Sequence, residues 1–246
     1  MNKKSIYNEF GIEFNAGKIE YNGIMIPELL KQGNSKTGKK VYTFSTLPGT
    51  AGTCVCDCKG CYAKTGFYCM KSVRESLERQ TEIVNNRLDY FYRAISAQLK
   101  IIGSGDIRIH APGDFNTTDP AEYANCWKHI AERNPEFTFW TYTKMPEFEN
   151  LFDGIKNANI VKSIIPGIGF NFGHCDYILD AYKALQDSGE SVYICRCGID
   201  KNQHCENCTH CATSKYVLFI EHSTEYKAES DPHFNTLKAI IDKQEK

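Results

Sequence analysis

A chain of 246 residues, 41% hydrophobic and 24% charged, is long enough to bury one α/β core and has neither a disordered nor a fibrous composition. A net charge of −1 gives no bulk electrostatic reason for tight binding to nucleic acid, and no apolar run is long enough to span a bilayer. The start MNKKSIYNEF is basic but is followed by no signal-type apolar stretch, which predicts a cytoplasmic chain whose twelve cysteines stay reduced and serve metals or catalysis.

Residues 10–26 alternate apolar and polar around Ala16-Gly17 and Asn22-Gly23, which reads as β-hairpins in a lead-in covering residues 1–40. A short strand is expected over 41–46 (VYTFST), and the Gly/Pro-rich LPGTAGT then leads into Cys54-Val-Cys56-Asp-Cys58-Lys-Gly-Cys61. With Cys56 set aside, the spacing is C-x3-C-x2-C. Three thiolates so spaced can hold three irons of a cubane cluster and leave the fourth open to a small molecule.

An amphipathic helix is expected over 72–99, with Ile83, Leu88, Phe91, Ile95 and Leu99 on one face. Strand and helix then alternate. DIRIH (106–110) is followed by a helix from Pro120, capped by Thr118 or Asp119, and FTFWTY (137–142) by a helix over 146–156. Strands at 160–166, 191–194 and 216–221 and helices at 177–187 and 232–243 complete the pattern. Six strands joined by crossovers imply a parallel sheet, open or curled, with its ligand sites at the carboxyl ends of the strands. Five polar, Gly- or Cys-bearing loops fall at that end. They are the cysteine loop, His110–Asn116, Thr141–Lys144, Pro166–Asn171 and Cys195-Arg196-Cys197.

Cys54, Cys58 and Cys61, placed directly after the first strand, resemble the loop of radical S-adenosylmethionine (SAM) enzymes. The resemblance covers residues 41–243. It implies a partial (β/α)6 TIM-type barrel over 41–246, a 4Fe-4S cluster on those three cysteines, and SAM chelating the open iron. It also implies reductive cleavage to a 5′-deoxyadenosyl radical that abstracts hydrogen from a substrate, with a reductant protein as partner. Gly113-Asp114 occupies the place of the turn that meets the SAM amino group in that family. Asp114 and His110 are the candidate catalytic residues, and Tyr62, Gly113, Asp114, Thr141, Tyr142, Gly167 and Asn171 the candidate cofactor-binding set. The CYA ending, IHAPGDF, TFWTYTK and the final cysteine array also look like those of uncharacterised phage-encoded proteins.

That array, Cys195, Cys197, Cys205, Cys208 and Cys211, is expected as an insertion between strands five and six on the rim of the site. Its x2, x2 rhythm suits either a second 4Fe-4S cluster or a structural zinc, with Cys195 or Cys197 as fourth ligand. Cys56, Cys69 and Cys175 are left without an assigned role, and Cys126 is expected as a small core residue. A different class of function also fits the cysteines: a zinc-stabilised binding module, for nucleic acid, without catalysis. Among substrates, a nucleotide, a peptide and a small metabolite all remain open.

Overall fold

The computed structural model describes residues 2–33, 37–58, 61–200, 203, 205–221 and 226–244, with elements numbered below in chain order. Helix α1 (Lys3–Glu9) starts where the Asn2 side chain accepts from Ser5 N at 2.8 Å. An antiparallel meander follows, β1 (Phe14–Asn15), β2 (Lys18–Tyr21) and β3 (Ile24–Pro27). Its turns have positive φ at Ala16-Gly17 and Asn22-Gly23, the left-handed pair that tight hairpins require. Ile19, Tyr21 and Ile26 are buried and belong to the main core. The side chain of Gln98 accepts from Leu30 N and donates to Leu30 O, at 2.8 and 3.2 Å, fastening the end of the meander to that core.

A five-stranded sheet runs β4-β5-β6-β7-β8, from β4 (Lys31–Gln32) and β5 (Val41–Thr43) through β6 (Gly105–Arg108), β7 (Phe137–Thr143) and β8 (Ala158–Lys162). Only β4 is antiparallel to its neighbour. The crossovers are α2 (Lys71–Asn86) with α3 (Leu88–Ile102), and then α4 (Pro120–Arg133), whose N-cap is Asp119 accepting from Glu122 N at 3.0 Å. The single helix expected over 72–99 is therefore two. It breaks at Arg87, whose φ of −142° and ψ of 56° leave the helical region. The helix expected over 146–156 is only a 3-10 turn, Pro146–Phe148, followed by further turns. Asn150 and Asp153 are weak helix formers, and Gly154 adopts φ 83°, outside the helical region.

Beyond a β-hairpin, β9 (Ile164–Ile165) with β10 (Gly169–Phe170), lies a second parallel sheet of β11 (Phe172–Gly173), β12 (Val192–Ile194) and β13 (Tyr216–Ile220). Its order is β11-β13-β12. The last strand thus sits between the two that precede it, whereas serial winding would place it at the outer edge. Helices α5 (Cys175–Asp187) and α7 (Phe234–Gln244) cover one face of this sheet through Ile178, Leu185, Leu237 and Ile241, which pack with Ile194, Leu218 and Ile220. The architecture is mixed α/β.

The two sheets meet along β8 and β13. Lys162 N donates to Lys215 O at 3.0 Å, and Asn171 spans the junction by donating through its backbone to Ser163 O and through Nδ2 to Val217 O. On the five-stranded sheet, Ile107 and Phe139 face the helices, so by strand alternation Thr43, Arg108, Trp140 and Asn159, which are in register, face the other way. Among the described residues, no crossover helix lies there. The cysteine-bearing segment does, with a short helix α6 (His210–Thr213). Asn159 Nδ2 donates to Cys211 O and Ser214 O, both at 2.9 Å, and Glu206 N donates to Thr37 O at 3.1 Å. The segment therefore crosses this face from β8 toward the β4–β5 edge rather than standing on a rim.

Candidate metal centre

The first cysteine loop leaves the carboxyl end of β5 and is closed by its own polar groups. Thr53 N donates to Leu47 O and Cys54 N to Gly49 O, and Gly49 has φ 80°. Asp57 then locks the loop. Its carboxylate accepts from Thr50 N and Oγ1 and from Lys64 Nζ, and the Thr50 hydroxyl, followed by Lys64, holds its pKa down to about 2. Cys54, Cys58 and Cys61 are half-buried, and Cys61 N donates to Cys58 O at 3.3 Å. Burial pushes the Cys54 thiol up to about 11, with Lys144 among the charges that lower it. Cys56 Sγ lies 3.4 Å from Cys58 Sγ. Cys69 is exposed and donates to Lys64 O.

The loop after β6 packs on this base. Thr46 Oγ1 and Thr53 Oγ1 are 2.6 Å apart, and Thr53 Oγ1 accepts from Asp114 N at 3.0 Å. Gly113, at φ 105°, lies so close that a Cβ there would sit 1.9 Å from Thr46 Oγ1. Asp114 is buried, and its oxygens already accept from Phe115 N, Thr143 Oγ1 and Lys144 N at 2.7 to 2.9 Å. Burial raises its pKa against these bonds. His110, at φ 57°, is also buried. Its Nε2 is 2.7 Å from Tyr123 Oη and its Nδ1 3.4 Å from Thr141 Oγ1, while burial pushes it down to about 3. Asp114 and His110 thus hold loops together, with every polar atom of these two side chains already facing a protein partner.

Arg108 and Tyr142 join the two cysteine groups. Tyr62, next to Cys61, donates to Ala111 O, and Arg108 Nη2 reaches Tyr62 Oη at 3.4 Å and Ala111 O at 3.5 Å. The guanidinium lies 5.2 Å from the centre of the Tyr142 ring, and Tyr142 Oη donates to Cys211 Sγ at 3.0 Å. Cys195 and Cys211 pack with Tyr142 and Phe219 on Val161, Tyr193 and Val217. Burial pushes the Cys211 thiol up to about 12, with the neighbouring Cys205 and Cys208 adding to the rise. Tyr193 also stacks on His210, centroids 3.5 Å apart.

Of the other expected site residues, Thr141 is on the helix side of β7 beside His110, Gly167 lies in the β9–β10 turn, and Asn171 is the bridge between sheets. None of these three adjoins the cysteine loop through a hydrogen bond among the described residues. Arg196 pairs with Asp200 and Asp242. Cys175 is buried at the start of α5, where its amide donates to Tyr226 Oη at 2.8 Å. Thr46, Thr53, Asp57 and Arg108 escaped sequence reasoning. Their only signal was position: two threonines and an acid inside a Gly-rich turn, and a cation in a strand of alternating pattern.

The donor chemistry fits a thiophilic centre. Of the twelve cysteines, four lie on one short loop and five on one short segment. Among the described residues, no three His, Cys, Asp or Glu side chains are drawn together as ligands of one ion. Among the described residues, too, no helix is long and apolar enough to cross a membrane.

No curated protein matches the chain, and no solved structure matches it. The family model described as Gene product 88 matches residues 15–165, from the meander through the cysteine loop and the Asp114 turn to β9, stopping before the second cysteine segment. With more than half of its length matched, the chain belongs to the Gene product 88 family of phage-type proteins.

Proposed function

We propose that this protein is an iron-sulfur enzyme of radical SAM type, in which Cys54, Cys58 and Cys61 hold a 4Fe-4S cluster and SAM is the cosubstrate. One observation carries the reading. The C-x3-C-x2-C loop follows a parallel strand at its carboxyl end and is knitted to the loop after the next strand through Thr46, Thr53 and Gly113. Bound there, the cluster would supply the electron that cleaves SAM to a 5′-deoxyadenosyl radical. The chain's own residues set the stage for it. Asp57 fixes the loop, Asp114 fixes Lys144 through its backbone amide, and Lys144 places a cation whose field reaches Cys54 and Cys56. The half-exposed Tyr62 stands beside Cys61, ready to shield the cluster or an adenine. The serially ordered parallel strands β5 to β8 are read as the first part of a partial (β/α)6 TIM-type barrel, from which the order β11-β13-β12 departs, and the second cysteine segment as the seat of a further iron-sulfur cluster or a zinc.

Anaerobic reconstitution tests the reading. Wild type should bind about four irons at the first loop and, once reduced, release 5′-deoxyadenosine from SAM. Cys54→Ser, Cys58→Ser and Cys61→Ser should each abolish this, while Cys69→Ser should not. Reconstituted, reduced protein that leaves SAM intact would sink it. Zinc without iron, together with a salt-sensitive affinity for a polynucleotide, would favour a zinc-stabilised binding module instead.

A further inference from the structure

The face of the five-stranded sheet that the cysteine segment covers holds a cation that no acid balances among the described residues. Arg108 forms no ion pair with a carboxylate among the described residues, and its Nε is shielded from solvent with no hydrogen-bond partner there. The contacts of Nη2 to Tyr62 Oη and Ala111 O, at 3.4 and 3.5 Å, are long for a guanidinium. A desolvated charge is costly unless something anionic faces it. Its nearest electrostatic neighbours are the Tyr62 and Tyr142 hydroxyls, followed by the sulfurs of Cys205 and Cys211, and the Tyr142 ring over which it lies carries its hydroxyl to Cys211 Sγ.

The same face distinguishes the two cysteines that sequence spacing leaves equivalent. Cys195 packs with Cys211 on Val161, Tyr193 and Val217, beside Tyr142. Cys197 is not a member of that packed group, and one contact of its thiol is with Gln203 O at 3.8 Å. Cys205 and Cys208 are joined by one turn, Cys208 N donating to Cys205 O, and Cys211 follows at the same spacing at the start of α6.

We infer that Cys195, Cys205, Cys208 and Cys211 hold a tetrathiolate metal centre with Cys197 outside the ligand set, Arg108 balancing its negative charge and Tyr142 donating to its Cys211 sulfur. Four thiolates outweigh the positive charge of a divalent zinc or of an oxidised cubane cluster, so either occupant presents the anion that Arg108 lacks. Hydrogen bonds and charges around the sulfurs then tune how firmly the metal is held. Arg108 and Tyr142 are positioning residues. This inference rests on the second segment binding metal, as proposed above, but not on SAM chemistry at the first loop.

The test uses full-length protein carrying Cys54→Ser, Cys58→Ser and Cys61→Ser, so that metal remaining belongs to the second segment. Metal per chain is measured after anaerobic purification, followed by Co2+ or iron reconstitution read through the sulfur-to-metal absorption bands. We expect metal to be retained, to vanish on adding Cys195→Ser, and to stay on adding Cys197→Ser. Arg108→Gln should speed metal loss to a chelator by about tenfold or more. Tyr142→Phe, which keeps the ring and removes only the hydroxyl, should shift the charge-transfer band with the far-ultraviolet circular dichroism unchanged. Absence of metal from the triple variant, metal lost through Cys197→Ser but not Cys195→Ser, or a Tyr142→Phe spectrum identical to its parent would each overturn the assignment. Iron content distinguishes cluster from zinc. None of these readouts involves SAM cleavage, so failure here and failure of the radical SAM reading are separable.

Discussion

Thr46 and Thr53, seven residues apart, meet hydroxyl to hydroxyl at 2.6 Å in a place solvent does not reach, and Thr53 also accepts from the Asp114 amide. This pair closes the neck of the first cysteine loop and couples it to the next. Thr53→Val keeps the volume but strands the Asp114 N–H and the Thr46 hydroxyl without a partner. Each such loss costs about 1–3 kcal/mol. We expect Thr53→Val to lower stability by about 2–3 kcal/mol in urea unfolding and to reduce iron loading at the first loop, with Thr53→Ser close to wild type. A Thr53→Val midpoint equal to wild type would show that the pair does not hold the loop.

Acid should destabilise the protein through His110. Its folded pKa, about 3, lies below the ordinary 6.5 because burial disfavours the imidazolium. A depressed histidine contributes stability that is complete above its unfolded pKa and lost as pH falls toward the folded one, since only the unfolded chain takes up the proton. By pH 4 the loss approaches about 3 kcal/mol. Asp114 acts in the opposite sense, because burial raises its carboxyl and the folded state takes up that proton more readily. The comparison must therefore be made against His110→Asn, which tolerates the φ of 57°. Urea midpoints between pH 7 and pH 4 should fall more steeply for wild type than for the variant. Parallel slopes would place the acid sensitivity elsewhere.

Local signals read well from the sequence, and long-range ones did not. The two hairpin turns, the Asp119 cap and the cysteine loop after a strand are each set by a few adjacent residues, and each stands where expected. Arg87 looked like one more turn of helix because periodicity continues across it. The insertion of β13 between β11 and β12 depends on pairings between distant segments, about which alternation says nothing. The same is true of Arg108. Its strand pattern puts it opposite Ile107, but nothing local announces that Cys205–Cys211 returns to cover that face.

Asn171 was expected among cofactor-binding residues, yet its side chain donates to Val217 O at 2.9 Å and its carbonyl accepts from Phe219 N at 2.8 Å. Asn171→Ala removes the first bond and leaves a buried carbonyl bare, at a cost of about 1–3 kcal/mol. We expect a lower urea midpoint and faster hydrogen exchange at Phe219, with SAM affinity of the folded protein unchanged. Unaltered stability with lost SAM binding would return Asn171 to the cofactor site.

Gly113 is held by two separate constraints that a double-mutant cycle can pull apart. Its φ of 105° is strained for any side chain, at about 1–3 kcal/mol. An added Cβ would also sit 1.9 Å from Thr46 Oγ1, whereas the next neighbours, Thr53 Oγ1 and Thr46 Cβ, are at 2.9 and 3.1 Å. Thr46→Ala takes away the first contact and leaves the backbone strain. Gly113→Ala should therefore cost more in wild type than in the Thr46→Ala background, by about 1–2 kcal/mol of coupling in urea unfolding. Because the neck of the cysteine loop is the element being strained, iron loading should follow the same order, lowest in Gly113→Ala and partly restored in the double variant. Additive stability changes would mean that the loop moves aside freely, and that Gly113 is required only for its backbone conformation.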